Sequence, residues 1–391
     1  MGMALIVNSH VHIPPDSSAF VNADALVSAA LRQGVAAVGI SSRFDLHVDG
    51  LVRSLTRGQP LTALFGVEVE TEWPDLERQG IRINHPSIPG RVRLLGKGID
   101  PFRTLTPRAE RVAVRIRERN DARAHRMIAI VSELFGQSGF ALGVTPRDVV
   151  ALVAGRGGVA PEWVSPQTDH IAMAFQEALF RLSRDQRGEA LYGAYGGQSS
   201  TVDLDDPIAL RQELRRRLLD PGTPGDVPVV PVKYTDAYNY ILDLGGIPCY
   251  AVMADGSDVI APFELSPTEL AKSLIGRGIH AAEFIAQRNQ AAVVDRYVEA
   301  LTAHGIIVMG GTEHDTPEAA SLVPACRDEA LSTMTSEAFF EGTCLVAAHA
   351  DNHEWLKPGY VDQHGDLIGD LNHVAALIDQ GAALISRRVN G

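Results

Sequence analysis

Short apolar runs alternate with segments of helical period along the first hundred residues. Residues 4–7 form an apolar run closed by Asn8, residues 35–40 a second ended by Ser41-Ser42-Arg43, and residues 61–69 a third. Between the first two, residues 22–33 carry apolar side chains at helical spacing and stop at Gly34, a helix C-cap signal. This alternation predicts a parallel sheet with helices packed outside it. Residues 81–83 and 91–95 flank the turn-rich NHPSIPG and predict a hairpin excursion. From about 105 to 225 strand patterns stop. Residues 108–135 are helical and Arg-rich, 144–148 read as a helix start, and 169–182 and 207–219 as further helices. The turn-rich DPGTPGDVP at 220–228 ends this stretch, and strand-like runs resume at 247–253, 279–285 and 306–309. Each of these follows a helical stretch ending in glycine (Gly245-Gly246, Gly278, Gly305). The expected organisation is a barrel in two parts, 1–104 and 227–325, an all-α insertion at 105–226 and a helical C-terminal extension at 326–391.

Composition narrows the class. The chain has 391 residues, 45% apolar and 21% charged, which is enough for a sizeable core and ordinary for a globular protein. No run approaches the ~18 apolar residues of a membrane span. The start, MGMALIVNSHVH, lacks the basic and long apolar regions of a signal peptide and reads as a first strand. A net charge of −13 argues against a nucleic-acid partner, which normally leaves a basic footprint. Cys249, Cys326 and Cys344 are far apart, with no CxxC, and fit reduced thiols of a cytoplasmic protein.

The chemistry-bearing residues cluster at predicted strand ends. His10 and His12 are two apart on a strand and share a face, well placed to chelate a divalent metal; the ordinary alternative is a pair of solvent-facing histidines. Glu68 closes the third strand, where a carboxylate completes a metal site or makes a salt bridge. Glu313 and His314 follow two glycines in GGTEHDT, a tight approach to a site or a plain polar turn. All four sit at the C-terminal ends of strands, where barrel sites are built. Lys233, ending an apparent strand, is a candidate for an anionic substrate or a solvated lysine. Glu283, near the end of HAAEFI, is a candidate general base, further ligand or salt-bridge partner. His85 reads as a surface-loop histidine, and AAHADNH is expected to break before His349 and His353 can share a helical face.

Taken in order and spacing, NSHVH, GVAAVGISSRFD, FGVEVE, RVRLLGKGID, TDHIAMAF, GGIPCYAVMADG and GGTEHD resemble the successive blocks of the PHP (polymerase and histidinol phosphatase) superfamily of metal-dependent phosphoesterases, over residues 4–320. The resemblance implies an α/β fold, a distorted (β/α)7 TIM-like barrel, with a trinuclear manganese, iron or zinc site and hydrolysis of phosphoesters. The departures from the family pattern are specific. Arg43 and Arg93 stand where two of its histidines are expected, and Asn8 stands for the Asp of its first block. Val252 or Met253 replaces another histidine, Thr168 replaces an arginine while His170 remains, and Asp315 replaces the last ligand histidine. The counterparts of one metal's ligands, His10, His12, Glu68 and Glu313, are all retained.

Arginine stays protonated and cannot coordinate a cation, but it supplies positive charge where a metal would otherwise sit. The expectation is one Zn, Mn or Fe ion per chain, with Arg43, Arg93, Lys233 and His170 binding an anionic substrate. His314, Asp315 or Glu283 would then handle the proton. The expected activity is metal-dependent hydrolysis of a small anionic molecule, foremost a phosphoester. Two other classes stay open: a single-metal lyase or isomerase acting on a sugar acid, and a non-catalytic binding protein on a decayed PHP fold.

Overall fold

The structure, a computed structural model, describes residues 5–17, 19–85, 88–257, 260–314 and 321–390. It divides into two compact units. The first comprises Met1–Ile13, Ala23–Ala113 and Pro231–Gly391, and the second Pro14–Asn22 and Val114–Val230.

The first unit is a distorted, nearly closed TIM-like barrel. Its strands are β1 (Val7–Val11), β2 (Ala37–Ser42), β3 (Thr62–Glu72), β4 (Arg91–Lys97), β5 (Val232–Lys233), β6 (Ile247–Val252), β7 (Ala281–Ile285) and β8 (Ile307–Gly311). The sheet runs β1-β2-β3-β4-β6-β7-β8, with the short β5 pairing to β3. Every neighbouring pair is parallel except the two made by β4. The circle closes between β8 and β1 through a bridge from Val11 to Glu313. There His12 N donates to the Glu313 carbonyl and Glu313 N to that of His10, both at 2.8 Å. Closure needs glycine at 311: a Cβ there would lie 2.3 Å from the His10 Cβ. Gly311→Ala is therefore expected to destabilise the protein by about 3 kcal/mol, an overpacking cost, read as a lowered urea midpoint with unchanged slope.

Two local expectations are corrected. The strand does not end with the first apolar run: β1 starts at that run's last residue, Val7, and carries Asn8, Ser9 and His10 buried in the barrel. The pairing of β1 with β2 slips between Asn8 and Val11, a bulge-like irregularity that breaks strict alternation and lets both Ser9 and His10 face inward. The second concerns residues 81–83, which form no hairpin strand. Residues 91–97 instead become a full barrel strand, with Val92, Leu94 and Leu95 all buried. The Asn84 side chain takes the place of a strand partner, accepting from Arg93 N and donating to the carbonyls of Arg93 and Ala251.

Helices surround the barrel, ending with Thr333–Glu354 and Leu371–Asn390. Thr333–Glu354 runs unbroken through His349 and His353, so the two rings do meet, 4.9 Å apart. His349 is fully engaged, however: its Nε2 donates to the Gly245 carbonyl and its Nδ1 accepts from Tyr360 N. It holds the fold and leaves no lone pair for a metal. Cys249, Cys326 and Cys344 are free and buried.

The second unit is helical, with no strand among its described residues. Its helices include most of Pro107–Gln137, then Pro146–Gly157, Thr168–Leu179, Arg184–Ala194 and Pro207–Leu214. Phe135 stacks on Phe175 at 5.8 Å in its core, with Leu191 and Leu210. Thr145 caps Pro146–Gly157 through a reciprocal capping box with Asp148. Among the described residues, no helix is long and apolar enough to cross a membrane.

Candidate metal centre

His10 and His12 leave β1 with their rings edge to face and their Nε2 atoms 3.1 Å apart. Glu68, midway along β3, brings Oε2 to 3.6 Å from the first nitrogen and 3.4 Å from the second. The outer ring nitrogens decide what those inner atoms are. His12 Nδ1 lies 2.7 Å from the Ser41 carbonyl, which only accepts, so Nδ1 carries the proton. His10 Nδ1 lies 2.6 Å from Glu283 Oε2. Burial works against the Glu283 charge, but Lys97 and then His10 outweigh it and bring that carboxyl down to about 2, so it too accepts. Burial holds the His10 ring itself below its ordinary value, against the pull of Glu283. Both Nε2 atoms are therefore unprotonated and face each other and a carboxylate oxygen, that of His12 accepting from Arg43 Nη2. Burial opposes the Glu68 charge as well, but Arg43 and Arg93 hold its carboxyl well below the usual carboxylate range.

Three converging acceptors of this kind can hold a cation among them. Donors held about 2.0–2.1 Å from a tetrahedral zinc stand roughly 3.3 Å apart, close to the separations seen. Two histidines and one glutamate also match the three-ligand sets that leave a coordination position open for chemistry. Among the described residues, His10, His12 and Glu68 are the group whose donor atoms come together in this way.

Glu313, expected as a fourth ligand, is not in that group. It and His314 both adopt left-handed backbone conformations, with φ of 63° and 60°, which costs roughly 1–2 kcal/mol per non-glycine residue. The turn aims the Glu313 carboxylate at cations: it bonds Arg288 and lies 3.6 Å from Arg93 Nη1. Arg43 donates from Nε to Glu68 Oε1 at 3.3 Å and from Nη2 to His12 Nε2 at 2.8 Å. Arg93 reaches within 3.9 Å of Glu68 Oε1. Its place at the rim follows from the reversed direction of β4, which sets Arg93 opposite Glu70.

The remaining candidates fall in different places. His314 Nδ1 is 2.8 Å from the Thr312 hydroxyl, which also receives a hydrogen bond from Asn8 Nδ2. Asp315 lies outside the described residues. Lys233 is exposed and pairs with Glu72, four residues along β3 from Glu68, a run of about 13 Å. His170 belongs to the second unit, where it is buried and its Nδ1 accepts from Gln167 N to cap Thr168–Leu179. His85 is not a surface residue: it is largely buried and lies 3.2 Å from Glu70. Sequence reasoning missed Lys97, whose signal was a lysine two residues after the apolar pair Leu94-Leu95 in RVRLLGKG.

No protein-family profile matches the chain, and no curated protein matches it. Solved structures do. A presumed metal-dependent phosphoesterase from Bifidobacterium adolescentis superposes with a TM-score of 0.57 at 17% identity, covering 85% of this chain and 94% of its own. An amidohydrolase from Chromobacterium violaceum, solved with sulfate and no metal, gives 0.52 at 19% identity, covering 82% and 93%. At such identities the likeness establishes the fold: this chain is built on the same distorted barrel as those two proteins.

Proposed function

We propose that the protein is a metal-dependent hydrolase of a small anionic substrate, foremost a phosphoester, using one divalent cation held by His10, His12 and Glu68. The observation that carries this reading is the meeting of three unprotonated acceptors within 3.6 Å, two with their tautomers fixed from behind. When bound there, a zinc, manganese or iron ion supplies Lewis acidity toward a substrate oxygen and activates water. The chain's own residues do the rest. Arg43, Arg93 and Arg288 surround the carboxylates of Glu68 and Glu313, so guanidinium donors line this rim. Guanidiniums in this setting orient an anionic group by paired N–H donors and stabilise charge as it develops. The sulfate held by the similarly folded amidohydrolase is an anion of the same tetrahedral class. His314, positioned by Thr312, is the proton-handling candidate, with Asp315 next to it in sequence.

A second reading, a lyase or isomerase acting on a sugar acid, draws on Glu313. That side chain already shows a carboxylate bound to Arg288 beside Arg93, the recognition a carboxylated substrate needs. Metal content tests both. Untagged protein measured by elemental mass spectrometry should carry about one zinc, manganese or iron per chain. His12→Ala and Glu68→Gln should lose it, while Glu313→Gln keeps it. No metal after reconstitution would leave only a binding role. Two or three ions per chain would mean the arginines do not replace metals.

A further inference from the structure

We infer that Lys97 is a positioning residue: it fixes the Glu283 carboxylate so that His10 must present its Nε2 lone pair to the cation site. The inference rests on the metal-centre reading and deepens it. Lys97 closes β4 on its inward side and is almost wholly buried, as is Glu283 on β7. Its Nζ lies 2.7 Å from Glu283 Oε1 and donates to the Ser9 carbonyl at 2.9 Å. The Ser9 hydroxyl donates to the same Oε1 at 2.5 Å. One carboxylate oxygen is thus committed to a lysine and a serine, and the other is left facing His10 Nδ1 at 2.6 Å.

A carboxylate whose two oxygens have different partners cannot turn, so the imidazole behind it cannot turn either. Ligand histidines are commonly oriented by such a carboxylate. Here the carboxylate is itself buried, and a buried charge persists only when paired and hydrogen-bonded. Lys97 meets that requirement from the opposite side of the barrel interior, tying β4 and β7 to β1 beneath the site. Glu283, open from the sequence as a general base, a further ligand or a salt-bridge partner, has both oxygens spent on Lys97, Ser9 and His10 and acts through His10.

The test reads the tautomer in metal-free protein, where neither turnover nor loading intrudes. Protein labelled with 15N-histidine is examined by long-range 1H–15N correlation, with the His10 signals identified by their absence in His10→Asn. The wild type should show a protonated Nδ1 and a bare Nε2 at His10. Lys97→Met and Glu283→Gln should lose that single-tautomer pattern, and Lys97→Arg should restore it. Zinc titrated into the same samples should bind about 10- to 100-fold more weakly to the Met and Gln variants, and near normally to the Arg variant. If Lys97→Met does not fold by circular dichroism, the near-isosteric Glu283→Gln carries the test. An unchanged His10 pattern with wild-type zinc affinity in both variants overturns the inference while leaving the metal centre intact. A wild type that binds no zinc, but whose tautomer shifts in the variants, overturns the metal reading and keeps Lys97 as the positioning residue.

Discussion

Arg43→Met is expected to tighten metal binding while weakening the capture of an anionic substrate, two effects of opposite sign from one side chain. The Arg43 guanidinium donates to His12 Nε2 at 2.8 Å, the same lone pair a cation would take, and also touches Glu68. Removing it frees that lone pair and takes a positive charge from beside the site. Two like charges about 4 Å apart repel by roughly 4 kcal/mol at the effective dielectric of a protein surface. The guanidinium can swing toward solvent, so the net effect is set lower, at about tenfold in Kd for zinc. The cost falls on the substrate. Truncating one partner of a buried charge pair typically loses about 2–5 kcal/mol, so kcat/KM for p-nitrophenyl phosphate should fall at least thirtyfold, mostly through KM. Calorimetric zinc titration and steady-state kinetics on one preparation read both arms. Weaker zinc binding would make Arg43 a support for the ligands, and unchanged kinetics would remove it from substrate binding.

His349 should withdraw folding stability as pH drops from about 6.5 to 4.5, against an opposite contribution from Glu264, whose carboxyl burial pushes up to about 7. Burial pushes this ring down to about 3 in the folded protein, while an unfolded histidine titrates near 6.5. Between those values the unfolded chain binds a proton that the native state refuses, so stability is full above 6.5 and is lost as pH falls. Over two pH units one such ring accounts for roughly 2–3 kcal/mol. Carboxylates with depressed values, such as Glu283, add their loss only below about 4.5. Urea midpoints at pH 7.5, 6.5, 5.5 and 4.5 check this against His349→Gln. The variant should be weaker at pH 7.5, having lost part of the bonding to Gly245 and Tyr360, yet lose less on acidification than the wild type. An unaltered slope would assign the acid sensitivity elsewhere, His10 being the next buried ring.

What could be read in the sequence follows from which signals are local. The helices of the second unit announce themselves through caps, such as Thr145 with Asp148 and Pro146 in the first turn. The histidine pair was legible because two-residue spacing on a strand fixes a shared face, and Glu68 as a carboxylate within a clear apolar run, although β3 continues to Glu72 and leaves Glu68 midway instead of at its end. The limits of β1 were not legible: Asn8, Ser9 and His10 are polar, and their burial is bought by partners hundreds of residues away, Thr312, Leu322 and Glu283. Glu313 has a ligand's chemistry, but its left-handed backbone sends the carboxylate to Arg288, a direction no spacing rule contains. Lys97 and Arg93 lie four apart on one strand, and only the reversal of β4 reveals that one sits below the site and the other at its rim.

The seam between β8 and β1 joins these two strands through a single residue bridge, where every other neighbouring pair on the sheet path has three or more residue partners among the described residues. Its bonds come from the main chains of His10, His12, Thr312 and Glu313, the same residues that present donors or stand beside them. Local breathing there would open the circumference of the barrel beside the two imidazoles, which move together with β1. An ion gripped by His10 and His12 on one strand and Glu68 on another would act as a rivet beside the weakest stretch of the hoop. The cation would brace β1 against β3, while closure of the hoop rests on the main-chain bonds of the seam itself.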